Sequence, residues 1–272
     1  MTETSVGRVI RRRIGETTAA EEDRLAVEEP LEIRIGDEPL AVTMRTPGHD
    51  EDLAAGFCLT EGVIDHPDDL ERIEPCERAE FGNVISVHLT DDAFAAHREQ
   101  IACAKRQTFL SSSCGLCGKQ SIDRIRQKLS PIEGRFTMAP SVIESLPDRM
   151  RQTQATFDRT GGLHAAAVFR PAGELKVLRE DVGRHNAVDK VIGWALLSGQ
   201  LPWDPGVLLV SGRASFEIMQ KAAIAGIAMV CAVSAPSSLA VDFAIETNMT
   251  LVGFLRPGRM NIYHDAGRIG GP

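Results

Sequence analysis

A regular alternation of apolar strands and helices from Leu163 onward is the feature that most constrains the fold of this chain. An apolar segment to Phe169 and a second to Leu178 flank a Pro-Ala-Gly turn, which predicts a β-hairpin. Three helix–strand units follow, with predicted helices at 184–197, 214–225 and 237–245 and predicted strands at 207–210, 227–233 and 251–254. This order predicts an α/β domain with helices on both faces of one mixed sheet.

The first half of the chain has shorter and more varied elements. Residues 31–35 and 40–44 alternate apolar and polar side chains around Gly36-Asp37, which predicts a second hairpin. A helix is predicted to begin at Asp50 and to end at Gly62, and a third strand is predicted at 84–89. These elements predict a small α+β domain.

We therefore divide the chain into four parts. A flexible basic arm (1–20) precedes the small α+β domain (21–107), the larger α/β domain (108–265) and a short tail (266–272). A chain of 272 residues with 43% hydrophobic residues can bury the core that two such domains need. The element order of the larger domain resembles that of the cytidine deaminase-like fold, so we expect a three-layer arrangement around a mixed sheet.

The zinc ligands of that fold are missing from the sequence. Zinc deaminases carry H-x-E and P-C-x-x-C at the starts of their second and third helices. The corresponding positions here read Ser215-Phe216-Glu217 and Pro236-Ser237-Ser238-Leu239-Ala240. Two hydroxyl groups and a methyl group replace the imidazole and the two thiolates, so we expect neither zinc nor zinc-dependent deamination.

Charge and cysteine content exclude further classes of function. The 30 Lys and Arg residues against 38 Asp and Glu residues give a net charge of −8, which disfavours a nucleic-acid binder or an anionic-membrane binder. The longest apolar run, 222–233, is too short to span a membrane, and the N-terminal segment lacks the apolar region of a signal peptide. Six irregularly spaced cysteines favour free thiols. We therefore expect a soluble, cytoplasmic protein.

Cys114 and Cys117 are the most informative residues of the chain. They lie between a run of serines and a helical periodicity, so both thiols are predicted at a helix start, where the helix dipole and Lys119 favour the thiolate. The residues alone allow a nucleophile or sulfur carrier, a structural zinc site, or a thioredoxin-like dithiol. A second ligand pair for zinc is missing at the usual spacing. A thioredoxin-like C-x-x-C would follow the first strand of a βαβ unit, whereas more than a hundred residues precede this pair. We therefore favour the nucleophile or sulfur carrier.

Cys58 and Cys231 have a different environment. They fall in apolar helix and strand patterns, which predicts buried thiols without a chemical role.

Three strand ends are rich in groups that bind anions. Ser211-Gly212-Arg213 and Ser234 through Ser237 each open a helix, and Arg256 and Arg259 follow the last strand. Hydroxyl, guanidinium and backbone N–H groups in such turns can converge on a phosphate, although serines that cap helices and solvated arginines would give the same pattern.

The segment from Glu180 to Lys190 is equally polar. Asp181 is interpreted as a helix cap, and Asp189 with Lys190 as a solvated face. His185 and Asn186 are suited to a polar ligand, whereas His164 is either a core histidine or a site residue.

Taken in order along the chain, these motifs resemble the formate dehydrogenase accessory sulfurtransferases, the FdhD family. The matching stretches are Glu29-Pro30-Leu31, Met44-Arg45-Thr46-Pro47-Gly48, Ser113-Cys114-Gly115-Leu116-Cys117-Gly118-Lys119, Thr160-Gly161-Gly162-Leu163-His164, Glu180 through Lys190, Ser211 through Glu217, Val233-Ser234-Ala235-Pro236-Ser237 and Leu251 through Arg256. They cover nearly the whole chain outside both termini.

The resemblance implies a sulfur carrier with a cysteine persulfide intermediate. Such a protein takes sulfur from a cysteine desulfurase and passes it to molybdenum cofactor in its bis-molybdopterin guanine dinucleotide form, before that cofactor enters formate dehydrogenase. Cys114 matches the family's persulfide cysteine, and Cys117 is expected to assist it. The family is also expected to be a cytoplasmic homodimer. A cofactor-binding chaperone that donates no sulfur is the alternative.

The resemblance also implies where the cofactor binds. The family's cofactor-binding stretch maps onto Phe254, Leu255, Arg256, Pro257, Gly258 and Arg259, to which we add Ser211, Arg213, Ser234 and His185 as expected contacts.

Overall fold

The computed structural model describes residues 4–14, 17–76, 82–110, 131–203 and 205–271, with the side chains of 11–14, 17 and 106–110 excluded. The strands are β1 (Ser5–Ile14), β2 (Thr17–Ala26), β3 (Glu29–Ile35), β4 (Glu38–Arg45), β5 (Leu70–Pro75), β6 (Val84–Leu89), β7 (His164–Phe169), β8 (Leu175–Asp181), β9 (Val207–Val210), β10 (Met229–Ala232), β11 (Thr250–Arg256) and β12 (Arg259–His264). The helices are α1 (Asp50–Thr60), α2 (Asp91–Ala96), α3 (Arg98–Leu110), α4 (Pro140–Arg151), α5 (Ala155–Thr160), α6 (Arg184–Leu197), α7 (Phe216–Ile224) and α8 (Ser238–Glu246). Within the described ranges, no helix has both the length and the apolar character that crossing a membrane requires.

A six-stranded mixed sheet organises the second half of the chain. Its order is β12-β11-β10-β9-β7-β8, in which β9, β10 and β11 are parallel and the other pairs are antiparallel. Cys231 in β10 lies opposite Leu209 on one side and Val252 on the other. The central strands β9 and β10 are apolar and wholly buried, as expected for parallel strands covered on both faces. The predicted hairpin and mixed sheet are confirmed.

Helices cover both faces of this sheet because its strands alternate their side chains. Ala165, Ala167 and Phe169 of β7 pack with α4 on one face. Ala166 and Val168 point to the opposite face, where they join the core formed with α6, α7 and α8. The mixed α/β class is thus confirmed, and α4 is a layer that the sequence pattern did not predict.

A four-stranded sheet, in the order β4-β3-β6-β5, organises the first half. The predicted hairpin forms as β3 and β4, and β6 pairs parallel to β3. Helix α1 begins with three acidic residues, which suit the positive end of its dipole. One continuous apolar core joins α1 and this sheet to α6, α7 and the larger sheet, so the two predicted domains are not separated by a gap in packing.

Helices α1 and α6 cross with their backbones in contact, and two glycines make this possible. A Cβ atom on Gly56 would lie 1.9 Å from the carbonyl oxygen of Asp189, and one on Gly193 would lie 1.8 Å from that of Asp52. Because both distances are far below van der Waals contact, neither position accepts a side chain without a shift of the backbone.

Both ends of the chain contain regular structure or buried contacts. We expected an arm without regular structure over 1–20, whereas β1 and β2 pair as an antiparallel hairpin from Ser5 opposite Ala26 to Ile14 opposite Thr17. In the tail, Arg268 is 2% exposed and donates to the backbone oxygens of Gly134, Asn248 and Ile132. Arg268 is therefore packed into the fold.

Candidate functional site

The three predicted polar turns meet at the carboxyl ends of β9, β10 and β11. The Ser234 amide donates to the Gly212 carbonyl over 3.4 Å, and the Phe254 amide donates to the Ser234 carbonyl over 3.1 Å. This ladder sets the turns that begin at Ser211, Ser234 and Phe254 side by side. Carboxyl ends of parallel strands are where open α/β sheets bind ligands, so this edge is the candidate site.

Two of the serines at this edge form hydrogen bonds that stabilise the fold. The Ser211 hydroxyl accepts from the Ala165 amide over 2.8 Å and fastens the start of β7. Ser237 caps α8, because its hydroxyl accepts from the Ala240 amide over 3.2 Å. The helix-cap interpretation is therefore correct for Ser237, whereas Arg213 is an exposed side chain beside the site.

The predicted stretch 254–259 forms the end of β11 and the turn into β12. Phe254 has a left-handed backbone (φ 50°) and is 41% exposed, so its ring faces solvent at the site edge. Arg256 donates to the carbonyl oxygens of Val233 and Leu255. The Leu255 side chain is fully buried in the core under α4, so this residue offers a ligand its backbone alone. Pro257, Gly258 and Arg259 are exposed.

A cleft of about 620 Å³ lies between this edge and the helices α4 and α5. Its lining residues are Pro147, Asp148, Met150, Arg151, Gln154, Phe157, Gly161, Gly162, Leu163, His164, Ser211, Val233, Arg256 and Pro257. The Arg151 guanidinium lies 4.7 Å from the centre of the Phe157 ring and pairs with Asp158. The cleft has the size of a small-molecule site and brings the Thr160–His164 motif to the predicted cofactor stretch.

His185 belongs to a polar cluster at the starts of α6 and α7. Its Nε2 lies 2.8 Å from Oε2 of Glu217 and 3.4 Å from Oγ of Ser215. The hydrogen bond from His185 lowers the pKa of Glu217 below the ordinary value. The sequence signal for a functional Glu217 is its place as the third residue of the H-x-E pattern, where this chain reads Ser-Phe-Glu.

Arg184 is a second residue that sequence reasoning missed. Its Nε is buried and has no hydrogen-bond partner among the residues that the structure describes. A Cβ on Gly212 would lie 3.7 Å from Cβ and Cδ of Arg184 and 3.5 Å from Nδ1 of His164, so Gly212 separates these two side chains. Burial, and then Arg184, lower the pKa of His164, which keeps this cleft-lining imidazole neutral near pH 7.

Asp181, Asn186 and Lys190 of the Glu180–Lys190 motif connect the two halves of the molecule. Asp181 is fully buried and accepts from the Gly183 amide and the Asn186 side chain over 2.8 and 3.0 Å. Lys190 lies 2.6 Å from Asp181 and donates to the Thr46 carbonyl over 2.8 Å. The Asn186 amide also donates to Met44, so it is occupied in the fold.

Asp189 forms a second buried ion pair. Lys221 donates to its two carboxylate oxygens over 2.9 and 3.0 Å, and the Thr60 hydroxyl donates to the same group over 2.9 Å. Asp189 is 2% exposed and Lys190 is 1% exposed. The prediction that Asp189 and Lys190 form a solvated face is therefore wrong.

The cysteines divide as their sequence contexts predicted, where the structure describes them. Cys58 and Cys231 are buried, and burial raises the pKa of both thiols, so they are unreactive core residues. Cys114 and Cys117 lie outside the described residues. In the described part of the chain, no group of three or more His, Cys, Asp and Glu side chains is placed to hold a metal ion.

Comparisons with known proteins agree with one another. A model of the FdhD/NarQ family matches residues 26–270. A sulfur carrier protein FdhD from Streptomyces coelicolor is 51% identical over 266 residues, which are 96% of this chain and 94% of that protein. One from Mycolicibacterium paratuberculosis is 50% identical over 96% of this chain and 98% of its own length. The crystal structure of a protein from Desulfotalea psychrophila, described as a formate dehydrogenase accessory protein, aligns with a TM-score of 0.79 over 98% of this chain and 100% of its own, at 24% identity, which shows a shared fold.

Proposed function

The chain belongs to the FdhD/NarQ family, and on that premise we propose that it is a sulfur carrier protein for formate dehydrogenase maturation. The observation that carries this proposal is the likeness to relatives named as sulfur carriers, which are about half identical over nearly their whole length. The fold shared with the accessory protein from Desulfotalea psychrophila supports it.

The proposed chemistry begins at Cys114. Its thiolate attacks the outer sulfur of a cysteine persulfide on a desulfurase, the S–S bond of that persulfide breaks, and the desulfurase cysteine leaves as a thiolate. Cys114 then carries the outer sulfur as a persulfide, and Cys117 assists. Their sequence context supports the step, because Lys119 and a predicted helix start favour the thiolate.

The proposed acceptor is molybdenum cofactor in its bis-molybdopterin guanine dinucleotide form, bound as a substrate before it enters formate dehydrogenase. The cleft between α4 and the strand ends supports this assignment, because Arg256 and Ser211 line it and Phe254 and Arg259 lie at the adjacent turn. Guanidinium groups suit the phosphates of a dinucleotide, and exposed rings suit its bases. Arg213, Ser234 and His185 lie beside the same strand ends.

Four further features remain part of the proposal. The element order from β7 to β11 supports a cytidine deaminase-like frame, in which Ser215, Ser237 and Ala240 stand where zinc ligands would be. We further propose that the protein needs no zinc and acts in the cytoplasm as a homodimer.

Mass spectrometry of the intact protein tests the sulfur step. After incubation with a cysteine desulfurase and cysteine, we expect a mass increase of one sulfur atom that is absent in Cys114→Ala. Cys76→Ala, which removes a half-buried thiol, is the matched control and should gain the sulfur normally. An adduct that persists in Cys114→Ala, or no adduct on the wild type, would contradict the proposal. A Cys114→Ala, Cys117→Ala double variant that still supports formate dehydrogenase in cells would favour the chaperone alternative.

A further inference from the structure

The cluster of Arg184, His185 and Glu217 is not explained by folding alone. We propose that Arg184 and His185 form an anion subsite for a phosphate-like group, that Glu217 positions His185, and that protonation of His185 strengthens binding. The identity of the natural anion, a phosphate of the cofactor, rests on the proposed function. Anion binding itself can be measured without it.

Glu217 determines which nitrogen of His185 can change its proton. The carboxylate can only accept, so Nε2, 2.8 Å from Oε2, must carry a hydrogen in both charge states of the ring. The lowered pKa of Glu217 keeps it ionised near neutral pH. Nδ1 is therefore the nitrogen that titrates: it accepts when the ring is neutral and donates when the ring is charged. An anion selects the donating form.

Arg184 supplies a fixed positive charge beside this switch. Its buried Nε lacks a hydrogen-bond partner among the described residues. The Glu217 carboxylate is bonded to His185 instead. A buried donor without a partner is costly in a folded protein, and a bound anion would satisfy it. The stem of Arg184 lies over Gly212, at the carboxyl end of β9, where the ladder of strand ends begins.

The charges that face His185 from each neighbouring element are consistent with proton uptake. Glu217 on α7 is negative, and Arg184 on its own helix is positive. His164 on β7 is held neutral by burial and by Arg184, and Asp181 at the end of β8 is paired with Lys190. Lys221 on α7 is paired with Asp189. The protonated cluster therefore carries one net positive charge, and the neutral cluster carries none.

Sulfate is the probe, because its charge stays constant between about pH 6 and about pH 8, where imidazoles titrate. We expect calorimetry to show about tenfold weaker sulfate binding at the higher pH, and the ring signals of His185 to titrate at higher pH when sulfate is present. His185→Asn assigns those signals and should remove the pH dependence.

Two variants separate the roles. Arg184→Met should weaken sulfate binding about tenfold at both pH values, as expected for loss of a charged hydrogen bond. Glu217→Gln keeps a polar partner for His185 but removes the charge, so the pH dependence should move to lower pH while the Arg184 contribution stays. Arg170→Met, at the β7–β8 turn on the exposed surface, is the matched control. Thermal melts establish that each variant is folded.

Equal sulfate affinity at both pH values together with an unshifted His185 titration in the wild type would overturn the inference, and this result needs no variant. Arg184→Met that binds sulfate as the wild type does would overturn the subsite. Persulfide loading of Cys114 is measured separately and does not use sulfate, so failure of the proposed function and failure of this inference give different results.

Discussion

Charged side chains are paired differently in two regions of the molecule: the junction between the two sheets and the edge at the carboxyl ends of β9–β11. At the junction, Lys190 is paired with Asp181 and Lys221 with Asp189, each fully or nearly fully buried. At the edge, the Arg184 Nε has no hydrogen-bond partner in the part of the chain that the structure describes, and His164 lines an open cleft. Residues a few positions apart in one motif thus differ: the buried ion pairs are satisfied within the fold, whereas Arg184 is the residue for which we propose a ligand.

The largest effect is expected where a buried pair is broken. Lys221→Met leaves the Asp189 carboxylate buried without its cation, so we expect about 3–5 kcal/mol less free energy of unfolding in urea titrations. Lys105→Met is the control: that lysine lies 3.6 Å from Glu38 and is 32% exposed, which predicts less than about 1 kcal/mol. Equal losses in the two variants would break the distinction between junction and surface.

A somewhat smaller effect is expected at the crossing of α1 and α6. Gly193→Ala places a methyl group against the Asp52 carbonyl, so the helices must separate, at a cost of about 1–3 kcal/mol. Gly270→Ala adds the same group where no described atom lies within 4 Å and should change stability by less than about 0.5 kcal/mol. Thermal unfolding of both variants measures the difference, and a Gly193→Ala protein as stable as the control would show that the helices are not in tight contact.

The smallest effect is a pH dependence at the site edge. Burial and Arg184 hold the pKa of His164 below its ordinary value, so the unfolded chain binds a proton at this position more readily than the folded protein. The contribution of His164 to stability is therefore complete above about pH 7.5 and declines as the pH falls through about 6.5.

His164→Gln should accordingly flatten part of this decline in unfolding curves collected from about pH 8 to about pH 5. Above about pH 7.5 the two proteins should show parallel pH profiles, which serves as an internal control. If stability falls with the same slope at acid pH in both proteins, His164 is fully solvated and does not belong to the buried groups at the site edge.

Much of the fold was predictable from sequence because its strands and helices are strongly patterned. The hairpins at 31–44 and 163–178 and the three helix–strand units after them form as expected. Helix α4 was missed because Pro147 lies in its interior, where a proline argues against a helix, although Pro140 at its start is compatible with one. Its buried residues Ile143, Leu146 and Met150 are stabilised by packing against the sheet, which a local pattern does not show.

The candidate site was predictable as a set of turns but not as a set of contacts. Ser211, Ser234 and Arg256 were placed correctly at one edge, because carboxyl ends of parallel strands must meet. Asp189 and Lys190 were misjudged, since Asp189 is paired through contacts from α1 and α7, and Lys190 through Asp181 and the Thr46 carbonyl. Glu217 gained a role only when the fold set it beside His185.

Helix α6 connects the two regions, and this gives the site a mechanical property. Its first turn carries Arg184 and His185, while two further turns are fixed by Asp189, Lys190 and the backbone contact at Gly193. A ligand that contacts the first turn therefore meets a helix whose later turns are held by buried ion pairs and by a backbone contact. The backbone positions of Arg184 and His185 are thus set during folding, and the entropy of bringing them together does not oppose binding.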